Sequence, residues 1–212
     1  MEWLSFFKGL FLGVLISIPV GPIAVLCVQR TLDRGRRHGF ATGLGAATSD
    51  LFYSVLAVFS LGFVRQIIDE NHLVIGIIGE IVVVCFGIYL YRSNPSAALR
   101  ARKSKRGSYL QDYFSALGLT ISNPLFLLFL IPVFAQFNFV NSESSLFEIF
   151  LGLLGVLSGA VLWWFGLSAV VSVFHNKINV RGLGLLNKIS AFLLFALALG
   201  GFIYYTFVKF HA

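Results

Sequence analysis

The sequence has few charged residues. They make up 12% of its 212 residues, whereas about a quarter of a soluble globular chain is charged. This deficit excludes a water-soluble enzyme, a nucleic-acid-binding module and a disordered segment. Hydrophobic residues form 58% of the chain, in uncharged runs of about 20 residues, the length that crosses a bilayer. The sequence therefore predicts an integral membrane protein.

Cysteine is also scarce. Cys27 and Cys85 both lie inside apolar runs, and two such residues indicate neither a disulfide framework nor a zinc site. The sequence also lacks a phosphate-binding loop and the residue pattern of a Ser/His/Asp hydrolase. We therefore expect no enzymatic activity, no cofactor and no metal site.

Six segments are long and apolar enough to cross a bilayer. Continuous apolar runs of this length exclude barrel strands, so the predicted fold class is all-α, a polytopic membrane protein with six transmembrane helices in a single membrane domain, residues 1–212. The predicted spans are Gly9–Val28, Gly39–Val64, Leu73–Tyr91, Tyr113–Phe137, Ile149–Phe174 and Ile189–Val208.

Basic residues lie mainly in alternate connections between these spans. Thirteen of the sixteen Lys and Arg residues occupy the first, third and fifth connections, whereas the second and fourth hold only Arg65. By the positive-inside rule, the odd-numbered loops are cytoplasmic and both termini lie outside the plasma membrane. We therefore interpret the net charge of +7 as basic residues that set the orientation in the membrane and contact lipid headgroups, and not as a nucleic-acid-binding surface. The basic clusters are Arg30–Arg37, Arg92–Arg106 and Lys177–Lys188.

Helix-breaking residues interrupt the first and fourth spans. Pro19, Gly21 and Pro22 lie mid-run in the first span, and Asn123 and Pro124 recur 102 residues later, with a further interruption at Pro132. Prolines in membrane helices often only kink them, but paired breaks in matching spans of inverted repeats are typical of a transporter's midplane site. The sequence thus predicts two inverted three-helix repeats, residues 1–91 and 113–212, joined by a basic cytoplasmic loop, residues 92–112.

Asp50 is a carboxylate near the middle of the second span. It lies about 16 Å along the helix, where an ionised Asp costs about 2.5–3.5 kcal/mol on insertion scales, so it faces the protein interior or water. We interpret it as a site for a substrate ammonium group, a cation or a proton. The alternative is a structural acid hydrogen-bonded to a hydroxyl or to broken backbone.

Small residues surround Asp50 on the same span. Gly39, Gly43 and Ala47 recur every four residues and predict close helix packing, and Tyr53, which extends the same side, is a candidate residue for substrate binding or coupling. Such faces are also compatible with a homodimer.

Glu80 is a second carboxylate, about 10 Å into the third span. It is either part of a proton relay or reaches the outer headgroups. Trp163 and Trp164 lie mid-span, where they either line a cavity or simply pack.

The first two spans resemble the lysine exporter (LysE/RhtB) family of amino acid efflux transporters. The resemblance is carried by Pro19-Val20-Gly21-Pro22, the short basic loop Arg30–Gly39 and the small-residue span with Asp50, and Asn123-Pro124 opens the fourth span as in that family. Here an extra residue separates the first two prolines, which indicates a divergent member. The resemblance implies export of amino acids or related small metabolites in exchange for protons.

The favoured mechanism is alternating access around a midplane site. The breaks in the first and fourth helices offer backbone amides to a substrate carboxylate, and Asp50 receives the amine or the exchanged proton. Three alternatives remain open at this point: an inorganic cation exporter of the wider superfamily, a membrane electron carrier that uses Cys27 and Cys85, and a scaffold that transports nothing.

Overall fold

The computed structural model describes residues 2–18, 21–70, 72–92, 107–123, 125–140, 144–174, 188–189 and 191–203. This part of the chain is helical and contains no β-strand, so the all-α prediction is confirmed. The helices are α1 (Glu2–Ser17), α2 (Pro22–Arg34), α3 (Arg36–Glu70), α4 (His72–Arg92), α5 (Tyr109–Ile121), α6 (Leu125–Gln136), α7 (Leu146–Val173) and α8 (Ala191–Ile203).

Two of these helices are long and apolar enough to cross a membrane by themselves. They are α3, over Arg36–Leu61, and α7 over its whole length, and the number of candidate spans rises to four if α1 with α2, and α5 with α6, each form one bent span. Shorter apolar stretches lie in α4 and α8. The described residues therefore support a multi-pass membrane protein with two to four candidate spans. The sixth predicted span, Ile189–Val208, lies partly outside them.

The first span is broken between α1 and α2, whose axes lie at 81° to each other. α1 ends at Ser17, and α2 begins at Pro22 after the extended N-cap residue Gly21. A proline in the first helical turn costs no hydrogen bond, because its amide would have no partner there in any case. Pro19 lies outside the described residues.

The second break separates α5 from α6, at an angle of 76°. α5 ends at Ile121, and the amide of Phe126 donates to the carbonyl of Asn123 at the start of α6. Pro124 lies outside the described residues. The interruption predicted at Pro132 is wrong, because α6 continues through it. Gly79 of α4 packs so closely there that an added Cβ would lie 2.8 Å from Cβ of Pro132, and this contact supports the helix where one backbone hydrogen bond is missing.

Glycines let α1 and α5 each approach a long helix closely. α1 packs along α7, and a Cβ on Gly13 or Gly159 would collide with the backbone of the facing helix. α5 packs along α3, where a Cβ on Gly45 would collide with the carbonyl of Tyr113. Backbones this close gain dispersion contacts that larger side chains would prevent.

The outer surface is strongly apolar, whereas the interior contains a continuous core of Leu, Val and Phe side chains. Large side chains that would be buried in a soluble protein are exposed around the bundle, as expected for a surface that contacts lipid tails. Examples are Phe7, Phe11, Phe59, Leu128, Phe150, Leu162 and Phe192.

Candidate functional site

A cavity of about 330 Å³ lies where the two helix breaks meet. Segments of seven helices, α1 to α7, and both breaks contribute to its wall, so residues distant in sequence converge on one space. Its lining residues are Ile16, Ser17, Gly21, Pro22, Ile23, Ala24, Ala46, Asp50, Phe86, Tyr89, Leu119, Thr120, Ser122, Asn123, Phe126 and Trp164.

Asp50 is the buried carboxylate in this wall. Its side chain projects from the middle of α3, only 4% of the residue is exposed, and Ser17 Oγ donates to its Oδ2 over 2.9 Å. No Lys, Arg or His of the described residues lies within salt-bridge distance of it. A buried carboxylate with a single hydroxyl donor still has acceptor capacity for a ligand cation or a proton.

Trp164 of α7 forms the wall beside Asp50. Its indole lies near the carboxyl, but its buried N–H does not reach hydrogen-bonding geometry with any atom of the described residues. Gly43 makes room for this ring, because a Cβ at residue 43 would collide with Cβ of Trp164 and lie 2.8 Å from its Cγ. Trp163, by contrast, is absent from the cavity lining.

The breaks present two helix N-termini to the cavity. Gly21, Pro22 and Ile23 line it at the start of α2, where Gly21 provides no side-chain cap. Asn123 lines it at the start of α6, and its side chain has no hydrogen-bond partner among the described residues. At α2, Pro22 has no N–H and the amides of Ala24 and Val25 donate to the carbonyl of Gly21, so the amide of Ile23 and the helix dipole are what favour an anionic group there.

Two helix C-termini face the same cavity. Ser17 ends α1, and Thr120 and Ser122 lie at the end of α5. Their carbonyl ends carry partial negative charge, to which the carboxyl of Asp50 adds. The cavity therefore places groups that attract cations beside groups that attract anions.

Tyr53 lies outside the cavity lining and supports the second break from behind. Its hydroxyl donates to the carbonyl of Ile121, the last residue of α5, over 2.6 Å, and its ring packs edge-on against Phe126. A carbonyl at a helix C-terminus has no partner within its own helix. Tyr53 therefore holds the end of α5 in place against α3.

Two of the predicted packing residues serve different contacts. Gly39 faces α2, where an added Cβ would meet Thr31 and lie 3.0 Å from the carbonyl oxygen of Cys27. Ala47 is fully buried in a small cluster that also contains Cys27 and Trp164. The stripe that includes Gly43 thus packs against α2 at one end and α7 in the middle.

Glu80 is not brought together with Asp50 in the cavity wall. It lies on α4, only 8% exposed, and its carboxyl and the amide of Gln136 both press against Gly201 of α8. Its Oε2 has no hydrogen-bond partner among the described residues. Of the two readings of Glu80, this burial favours a residue inside the protein over one that reaches the headgroups.

The cysteines are separate from the cavity. Cys27 of α2 is buried and its thiol donates to the carbonyl of Gly39 over 3.3 Å, whereas Cys85 is exposed on α4. In the part of the chain that the structure describes, they form no disulfide, and no three His, Cys, Asp or Glu side chains are grouped as metal ligands would be.

A buried ion network, which the sequence did not predict, joins α2 and the start of α3 to α5. Asp112 of α5, 1% exposed in its side chain, pairs with Arg30 (3.0 Å), Arg34 (3.1 Å) and His38 (2.6 Å). Arg30 also donates to Thr42. The assignment of Arg30 to the first loop is wrong, because Arg30 lies within α2 and is buried.

The chain is similar in sequence to a known family of membrane transport proteins. Residues 14–205 match the family described as "LysE type translocator". The chain is 26% identical over 184 residues, 84% of this chain and 87% of the relative, to "Putative amino acid efflux protein YcgF" of Bacillus subtilis (strain 168). It is 29% identical over 174 residues, 78% of this chain and 73% of the relative, to "Uncharacterized membrane protein YahN" of Escherichia coli (strain K12). No solved structure matches the chain.

Proposed function

The chain belongs to the LysE translocator family, as its resemblance in sequence predicted, and from this we propose that it exports amino acids or related small metabolites across the plasma membrane. One observation carries the proposal: both helix breaks and Asp50 line the same cavity. Its volume of about 330 Å³ lies at the lower end of the range of small-molecule sites, about 300–1,000 Å³.

The charges around the cavity suit a zwitterion. The ammonium group of an amino acid pairs with Asp50, which has no cationic partner among the described residues. Its carboxylate binds at the N-terminus of α2, where the amide of Ile23 precedes the first hydrogen bonds of the helix, and at the side-chain amide of Asn123. Half-helix N-termini bind substrate carboxylates in this way in other transporter folds.

Competition at Asp50 provides the coupling to protons. The carboxylate binds either the substrate ammonium or a proton, because each neutralises the same charge. A transporter that changes between its inward-open and outward-open states only when Asp50 is neutralised exchanges substrate for protons. A charged, unpaired carboxylate would be costly in the low-dielectric interior during that change. Glu80, whose Oε2 has no hydrogen-bond partner among the described residues, is a second candidate on the proton's path.

Reciprocal packing supports the inverted-repeat arrangement. α1 packs along α7, and α5 packs along α3, which are equivalent pairs if residues 1–91 and 113–212 are repeats. In this arrangement the connection between α4 and α5 is cytoplasmic and both termini lie outside. Rocking of one repeat against the other opens the cavity to each side in turn.

The proposal is tested by efflux from cells loaded with individual amino acids as dipeptides. Cells that express the chain should export at least one amino acid faster than cells without it, and Asp50→Asn should lose that export. Asp33→Asn is the matched control, because Asp33 is an exposed carboxylate on α2. If a well-expressed protein exports none of the amino acids, the proposal fails.

A further inference from the structure

The cavity offers a substrate one charged side chain. Of the described residues that line it, only Asp50 carries a charge. In the proposed function, on which this inference rests, the substrate's α-ammonium group occupies Asp50. A second ammonium or guanidinium group on the substrate would then have only the partial charges of helix ends to pair with, and so would a carboxylate on its side chain. An unpaired charge inside a protein is strongly disfavoured.

Three hydroxyl groups in the wall are already engaged. Ser17 donates to Asp50, Thr120 to the carbonyl of Ala116 and Ser122 to the carbonyl of Gly118. A polar substrate side chain that used one of these three hydroxyls as a donor would have to displace a hydrogen bond inside the protein.

Much of the rest of the wall is apolar, with an aromatic surface. Phe86 and Tyr89 of α4 and Phe126 of α6 line the cavity together with Leu119. Phe86 stacks on Phe129 behind it, with 4.6 Å between the ring centroids, so the surface is backed by packed side chains. Such a surface gains free energy by removing an apolar side chain from water.

From these three properties we infer that the cavity selects amino acids with uncharged aliphatic or aromatic side chains. Asp50 pairs with the α-ammonium group, and the side chain packs on the surface formed by Phe86, Tyr89 and Phe126. Lysine, arginine and glutamate are disfavoured because, among the described lining residues, no second charged side chain pairs with their side-chain charge.

The first test compares substrates in the dipeptide-loading assay. Leucine, methionine and phenylalanine should leave the cell at least about tenfold faster than lysine or glutamate. A tenfold difference in rate corresponds to about 1.36 kcal/mol, and burying one unpaired charge costs more than that. Export of lysine or glutamate as fast as leucine would overturn this inference while leaving the exporter in place. Export of no amino acid would remove the proposed function and the inference with it.

The second test changes the wall. Tyr89 and Tyr91 are 47% and 49% exposed on the same helix, but only Tyr89 lines the cavity. Tyr89→Ala should slow export of phenylalanine and leucine several-fold relative to alanine, because the larger side chains lose apolar contact. Tyr91→Ala should leave that ratio unchanged. An unchanged ratio in Tyr89→Ala, or the same change in both variants, would contradict the inference.

Discussion

Ser17 and Asp50 are joined by a hydrogen bond of 2.9 Å from Oγ to Oδ2. Ser17 is the last residue of α1 and Asp50 lies in the middle of α3, so this bond connects the first helix break to the buried carboxylate. Movement of α1 away from α3 breaks it. In the proposed mechanism the hydroxyl therefore orients Asp50 for the substrate. It does so only while α1 lies against α3.

Replacement of Ser17 by Ala should weaken transport without unfolding the protein. A hydrogen bond to a charged group is worth about 1.5–3 kcal/mol, so loss of the donor should reduce the export rate about tenfold or more. Ser158→Ala is the control, because Ser158 is exposed on α7 and its hydroxyl donates only to Leu154 of its own helix. Wild-type export by Ser17→Ala, measured at equal expression, would show that this bond has no role in transport.

Gly43→Ala should disturb the cavity wall. The added methyl group would meet Trp164, whose Cγ lies 2.8 Å from the position of the new Cβ, and overpacking of this kind typically costs about 1–3 kcal/mol. We expect a lower melting temperature in detergent and slower export. Gly118→Ala serves as the control, because nothing lies within 4 Å of a Cβ there and alanine is the better helix former by about 1 kcal/mol. Equal melting temperatures for the two variants would contradict the close contact.

Asp112→Asn should destabilise the folded protein more than any exposed Asp→Asn change. The substitution leaves Arg30, which is 7% exposed, without its carboxylate partner, and breaking a buried ion pair from one side costs about 3–5 kcal/mol. Thermal unfolding in detergent measures the effect, with Asp33→Asn as the exposed control.

The double variant Arg30→Met with Asp112→Leu separates two contributions to the destabilisation. One is the loss of the ion-pair attraction, and the other is the burial of the Arg30 charge without the Asp112 carboxylate. It should recover much of the stability lost in Asp112→Asn, because it removes the buried cation as well. A melting temperature of Asp112→Asn equal to that of the wild type would show that the network contributes little.

Sequence patterns could predict the parts of the site that are rare in apolar runs. A carboxylate such as Asp50 and helix breakers such as Pro22 and Asn123 stand out because lipid tolerates neither charge nor unsatisfied backbone. Ser17 does not stand out, since serine occurs widely in membrane helices, and for Trp164 the sequence left open whether it lines a cavity or simply packs. Their placement beside Asp50 depends on how α1 and α7 pack against α3.

Arg30 shows why the ion network was missed. Charge patterning assigns a basic residue after an apolar run to a loop, whereas a buried cation is recognised by its partner. That partner, Asp112, is 82 residues away, and the packing of both α2 and α5 against α3 brings them together. Pro132 was misjudged for a related reason, because the contact with Gly79 that supports α6 is not visible locally.

The most direct test of the central claim is transport by purified protein in liposomes. Vesicles with an acidic lumen, supplied outside with an amino acid that the wild type exports from cells, should accumulate it above the level reached without a pH gradient. Asp33→Asn should behave like the wild type, and Asp50→Asn should lose the accumulation driven by the gradient. Gradient-driven accumulation by Asp50→Asn at the wild-type rate would contradict the assignment of Asp50 as the carboxylate that exchanges substrate for protons.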